Sequence, residues 1–143
     1  MTLQDVMMRH LLSASVRIPV ATMNPLISVM DSAFGITGRI FLDPSKIRTR
    51  PDKSRKFYFE AALYCDPGAS AEIRLYDTIA GAVVAGSLLT TSSPAPILVV
   101  GEITQDLSPV SSSRLYEVQL RRSVGLITDK VYVASASIVV EEI

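Results

Sequence analysis

Six basic side chains, Lys46, Arg48, Arg50, Lys53, Arg55 and Lys56, fall within eleven residues that hold a single acid, Asp52. Three chemistries suit that spacing. The cations can contact a row of phosphates, meet the acidic surface of another subunit, or stand solvated in a loop punctuated by Pro44 and Pro51. Phosphate recognition is disfavoured, because no aromatic ring is interleaved for base stacking. The isoelectric point of about 6.6 is also far from that of a basic nucleic-acid domain.

A second set is aromatic. Tyr58, Tyr64 and Tyr76 sit at outward positions of two neighbouring strand-like segments, where an aromatic strip can grip a sugar ring. Against that, tryptophan is absent and aromatics make up only 6% of the chain, so a tyrosine patch covered by the arm or by a neighbour is the favoured account.

Catalytic and metal chemistry are poorly supplied. The single His10 and single Cys65 form no ligand cluster and no disulfide. Carboxylates are scattered, with neither a glycine-rich phosphate loop nor a nucleophile elbow. The chain reads as a non-enzyme without a cofactor.

The charge is lopsided about a zero total. Residues 1–56 hold nine Lys or Arg against four Asp or Glu, whereas residues 57–143 hold five against ten. A basic half and an acidic half of this kind can meet across a contact between copies. Asp106, Glu141 and Glu142 are candidate partners for the basic run. Hydrophobic residues make up 48% and mean hydropathy is +0.34, an apolar surplus that can be buried in a tight core or against other subunits. The apolar run Ile79–Leu89 is far below the roughly 20 residues a spanning helix needs. Asp5 and Arg17 break any signal-peptide pattern.

The elements that must position these groups alternate with period two. "FYFEAALY" sends Phe57, Phe59, Ala61 and Leu63 to one face, and "SAEIRLYD" does the same with Ala71, Ile73 and Leu75. Between them Pro67 and Gly68 mark a turn. A hairpin of odd loop length pairs Phe59 with Leu75, Ala61 with Ile73, Tyr58 with Tyr76, and Glu60 with Arg74. Further strands are expected at Ala82–Leu89, Ile97–Ile103, around "RLYEVQLR" with Tyr116, Val118 and Leu120 inward, and at Val131–Val140. Upstream, "SASVRIPV" alternates, and Pro19 marks it as an edge. Seven to eight short strands with Ser-, Pro- and Gly-rich loops predict an all-β, antiparallel, jelly-roll-like sandwich over residues 56–143. Residues 1–55 read as an N-terminal arm, an edge strand and the basic loop.

The arm holds the one helical period. Leu3, Val6, Met7, His10 and Leu11 share a stripe behind the N-cap candidate Thr2. With Met8, Met23 and Met30 this segment suits an irregular apolar groove, on its own sandwich or on a neighbour's.

The stretches "RLYDTIAGAVVAGSLLTTSSPAPILVVGEI", "SSSRLYEVQLRRSVG" and "VYVASASIVVEE" resemble jelly-roll β-sandwich domains of tailed-phage virion proteins, over about residues 56–142. The resemblance implies a structural subunit of a particle, as capsid decoration or as a head or tail accessory. It also implies assembly in a host cytoplasm, with a homo-oligomer and other virion proteins as partners. It carries over no functional residue. The alternative is a carbohydrate- or receptor-binding sandwich module.

Overall fold

The computed structural model describes residues 16–24, 26–43, 54–105, 107 and 113–142. All regular structure among them is β. In chain order the strands are β1 (Val16–Met23), β2 (Ile27–Val29), β3 (Gly35–Leu42), β4 (Arg55–Cys65), β5 (Ser70–Asp77), β6 (Ala82–Val83), β7 (Leu89–Thr91), β8 (Ile97–Ile103), β9 (Arg114–Val124) and β10 (Val131–Glu142).

Two antiparallel sheets form the expected sandwich. The first runs β1-β10-β4-β8, with β2 also on β10. The second runs β3-β9-β5-β6, with β7 also on β5. β1 and β3, drawn from the first 55 residues, each close one edge of a sheet. The predicted arm stripe Leu3, Val6, Met7, His10 and Leu11 lies outside the described residues, as do Lys46, Arg48, Arg50 and Lys53.

Alternation decides what is buried. Phe59, Ala61, Leu63 and Ile138 from the first sheet meet Ile40, Leu42, Ile73, Leu75, Val118 and Leu120 from the second, all fully buried. Full burial of each large aliphatic chain contributes about 1.5–3 kcal/mol, so this interior is the main source of stability. Met23, grouped above with the docking methionines, is buried here against Gly38.

One expectation is overturned. β4 and β5 do not form a hairpin: β4 pairs with β10 and β8, whereas β5 pairs with β9, β6 and β7. The turn at Pro67 and Gly68 is an arch between sheets. Cys65 and Ala69, on either side of it, are each 1% exposed, because the chain there crosses the thickness of the core. The apolar rows of the two strands do face one another, but through the sandwich and not along an edge. Consequently Glu60 and Arg74 are not partners.

The strand expected over Ala82–Leu89 is also broken. Gly86, at φ 85°, brings its backbone against the carbonyl of Glu102, and a Cβ there would collide with it. Buried Ser87 accepts from the Leu75 amide at 3.0 Å and donates to the Val84 carbonyl at 2.7 Å. Those two contacts turn the segment inward, leaving only the two-residue β6 and three-residue β7.

Candidate functional site

The arch separates the tyrosines. Tyr58 and Tyr64 lie on the outer face of the first sheet, whereas Tyr76 lies on the outer face of the second, paired with Glu117 and Val83. The single patch expected from Tyr58, Tyr64 and Tyr76 does not exist. Sequence reasoning missed Tyr132, which stands directly opposite Tyr64 on β10. Its place in the alternating run "VYVAS" put it on the outward row, but only the β4–β10 pairing joins the two rings.

Around Tyr58 the first sheet carries a charged network. Arg17 reaches from the edge strand across β10, with its guanidinium 4.6 Å from the Tyr58 ring centroid. The same guanidinium bridges Glu60 on β4 and Glu141 on β10, the latter at 3.7 Å. The Tyr58 hydroxyl donates to Glu141 at 3.4 Å. Beneath this roof Val139, flanked by Pro19 and Tyr58, is only 3% exposed although it belongs to the outward row. Burial, then the negative charge of Glu141, pushes the Tyr58 phenol above its ordinary value, with Lys56 opposing. Glu141, expected to receive the basic run from another copy, is thus committed within its own chain.

Tyr58 also faces Glu102 on β8. One step further, Arg55, Lys56, Phe57, Glu102, Ile103, Thr104 and Gln105 line an open depression of about 180 Å³. Of the six expected contact cations, Arg55 and Lys56 are therefore placed: they head β4 opposite Glu142 and Glu141. The depression is well below the roughly 300–1,000 Å³ of a drug-sized pocket, so it accommodates one small polar unit with the remainder in solvent. Its lining offers ammonium and guanidinium donors, a carboxylate acceptor, and a hydroxyl and an amide that do both, while Phe57 and Ile103 beside them are buried in the core.

At the opposite end of this face, Tyr64 and Tyr132 stack with centroids 4.4 Å apart and planes 5° apart. The Tyr132 hydroxyl donates to Asp66 at 3.1 Å. Burial, followed by that hydrogen bond, raises its phenol pKa. Each ring spends one face on the other.

The second sheet's outer face is also internally paired. Arg121 meets Glu72 at 2.6 Å, Arg74 donates to Gln119 at 2.8 Å, and both guanidinium groups lie on the Phe34 ring, at 3.8 Å for Arg74 and 4.4 Å for Arg121. Cys65 is buried and its thiol donates to the Ala69 carbonyl at 3.2 Å, a packing role. Among the described residues no group of three His, Cys, Asp or Glu is placed to hold a metal ion, and no helix is long and apolar enough to cross a membrane.

No family model and no curated protein matches the chain. Among solved structures it is similar to a carbohydrate-binding module of family CBM36 in complex with calcium and xylotriose. The TM-score is 0.42 and identity 11%, over 80% of this chain and 98% of that one. It is also similar to a structure from work on promiscuous carbohydrate-binding modules of the β-sandwich superfamily, with TM-score 0.35 and 8% identity. That likeness covers 84% of this chain and 54% of the other. At so low a superposition the architecture rests on the strand pairing itself.

Proposed function

We propose that this chain is a non-catalytic β-sandwich module that binds carbohydrate on the outer face of its first sheet. The observation that supports the reading is the depression at the start of β4 and the end of β8, joined to Tyr58 through the Tyr58–Glu102 cross-strand pair. A sugar presents hydroxyls that donate and accept at once, and apolar C–H faces between them. Lys56, Arg55, Glu102, Thr104 and Gln105 offer the matching polar groups, with the buried Phe57 and Ile103 behind them. The test is a glycan array followed by titration calorimetry on the best hit. Glu102→Gln and Lys56→Ala are expected to weaken binding at least tenfold, and Tyr76→Ala, on the other sheet, to leave it unchanged. No glycan bound at millimolar concentration, or equal losses for all three variants, overturns the reading.

A second reading, the structural subunit of a phage-type virion, is favoured by a different observation. At the far pole Val124, Leu126 and Ile127 are 59%, 71% and 83% exposed beside half-exposed Met30. Arg122 gathers that pole by donating to the carbonyls of Met30, Ile127 and Asp129. An exposed apolar tip of this kind suits docking on a larger assembly. Unchanged partition of a Leu126→Ser, Ile127→Ser variant between free protein and purified particles would sink it.

A further inference from the structure

A sheet edge presents unpaired backbone N–H and C=O groups that another strand can satisfy, and folded chains blunt such edges with proline, bulges, charges or brevity. Three of the four edges here are blunted. β1 carries Pro19, Arg17 and a bulge between Pro19 and Ala21. β3 carries a bulge between Ile36 and Gly38, followed by exposed Arg39. β6 and β7 are only two and three residues long.

β8 has none of these devices over its first half. It runs seven residues in unbroken register with β4, without proline or bulge, and Glu102 near its end is its one charge. Its last residues are covered: Gly86 sits against the Glu102 carbonyl, and the Thr104 amide donates to Ala85 at 3.1 Å. From Ile97 to Val100 no described strand pairs with the outer edge. There Ile97, Leu98 and Val100 are 47%, 60% and 43% exposed.

We infer that the Ile97–Val100 edge of β8 pairs antiparallel with the same edge of a second copy, joining two first sheets into one continuous sheet. The occupant follows from self-complementarity. A two-fold axis through Val99 sets Val99 against its own equivalent and Leu98 against Val100, which keeps the outward row facing outward in both copies. No like charges are brought together, because this half of the strand has none. The covered stretch from Gly101 to Thr104 stays outside the new pairing, so the depression beside Lys56 remains open. The contact is independent of either function proposed above.

The test uses the full chain. Sedimentation equilibrium is expected to show a reversible dimer, and Leu98→Lys with Val100→Lys to weaken it at least tenfold while far-ultraviolet circular dichroism stays unchanged. Both substituted side chains already face solvent, so folding is preserved. A second measurement guards that result. Cys65 is buried and is the chain's single cysteine. Leu98→Cys therefore supplies the reactive thiol, and a short bis-maleimide should couple two copies in high yield, whereas Ile79→Cys at the opposite pole should not couple. A monomer at all concentrations overturns the inference, as does a dimer indifferent to the two lysines or equal coupling through Ile79→Cys.

Discussion

Tyr64 and Tyr132 face each other across β4 and β10 with their rings 4.4 Å apart and within 5° of parallel, and a carboxylate tethers only one of them. Asp66 accepts the Tyr132 hydroxyl on one oxygen and the Lys130 amide, at 2.8 Å, on the other. The pair thereby ties the arch to the start of the last strand. Tyr132→Phe keeps the stack and loses one hydrogen bond, so its expected cost is small. Tyr64→Ala loses the stack and its apolar cover, and should cost more, by roughly a further 0.5–1.5 kcal/mol for the ring pair alone. Urea denaturation of the two variants gives the order directly, and the reverse order would contradict the stacking argument.

Arg122 is a charged side chain only 8% exposed, facing the interior end of the sandwich where its row neighbours are Leu120 and Ala71. Its guanidinium is satisfied by the carbonyls of Met30, Ile127 and Asp129, and its own amide donates to the Asp31 carbonyl at 2.9 Å. Arg122→Ala strands those carbonyls, at about 1–3 kcal/mol for each one left without water. Arg122→Lys keeps a cationic nitrogen, and Nη1 alone makes all three carbonyl contacts, but the shorter ammonium is not held where Nη1 sits. Thermal melts should place Lys between Arg and Ala, and amide exchange should rise first in residues 124–130. A melt unchanged by alanine would show that the pole holds itself.

Much of this architecture was legible in the sequence, because strand faces follow from period two alone. Tyr116, Val118 and Leu120 point inward, Glu117, Gln119 and Arg121 outward, and Pro19 lies on an edge strand, all as the pattern predicts. Partnership was not legible. Alternating apolar rows on β4 and β5 are equally content beside each other in a sheet or opposite each other across a core, and the same turn residues serve both. The candidate site inherited that ambiguity: choosing a hairpin merged Tyr76 with Tyr58 and Tyr64, and hid Tyr132. The gathering of Arg17, Glu60 and Glu141 lay beyond reach for a further reason, since it depends on which strand lies between two others.

Three phenols are held above the ordinary value of 10.0. Tyr58 is raised by burial and then Glu141, Tyr132 by burial and then its bond to Asp66, and Tyr116 by burial and then Asp77, against Arg114. Each proton is held harder in the folded chain than in the unfolded one. The resulting contribution to stability is therefore complete below the unfolded phenol pKa and drains away as pH climbs through the raised folded values. Phenolate absorbance should show a late component above pH 10, reduced in Tyr58→Phe and again in Tyr132→Phe. Titration of Tyr58, Tyr116 and Tyr132 in the folded protein at the ordinary value would refute this.

Gly86 and Gly68 share a φ of 85° but not their surroundings, and this separates backbone strain from steric collision. Gly68 opens to space with nothing near a would-be Cβ, whereas Gly86 would drive that carbon into the Glu102 carbonyl and against the Thr104 amide. Gly68→Ala should cost only the left-handed penalty, about 1–2 kcal/mol. Gly86→Ala carries the same penalty and must also push the crossing segment off β8, where Thr104 bonds Ala85 and where Gly101 already lies against Leu89. Its loss should be the larger by at least about 1 kcal/mol, in line with the overpacking of a close contact. The two variants compared by equilibrium denaturation decide the matter: equal losses would mean that the crossing yields freely, and that nothing in the core depends on how closely residues 85–86 approach the end of β8.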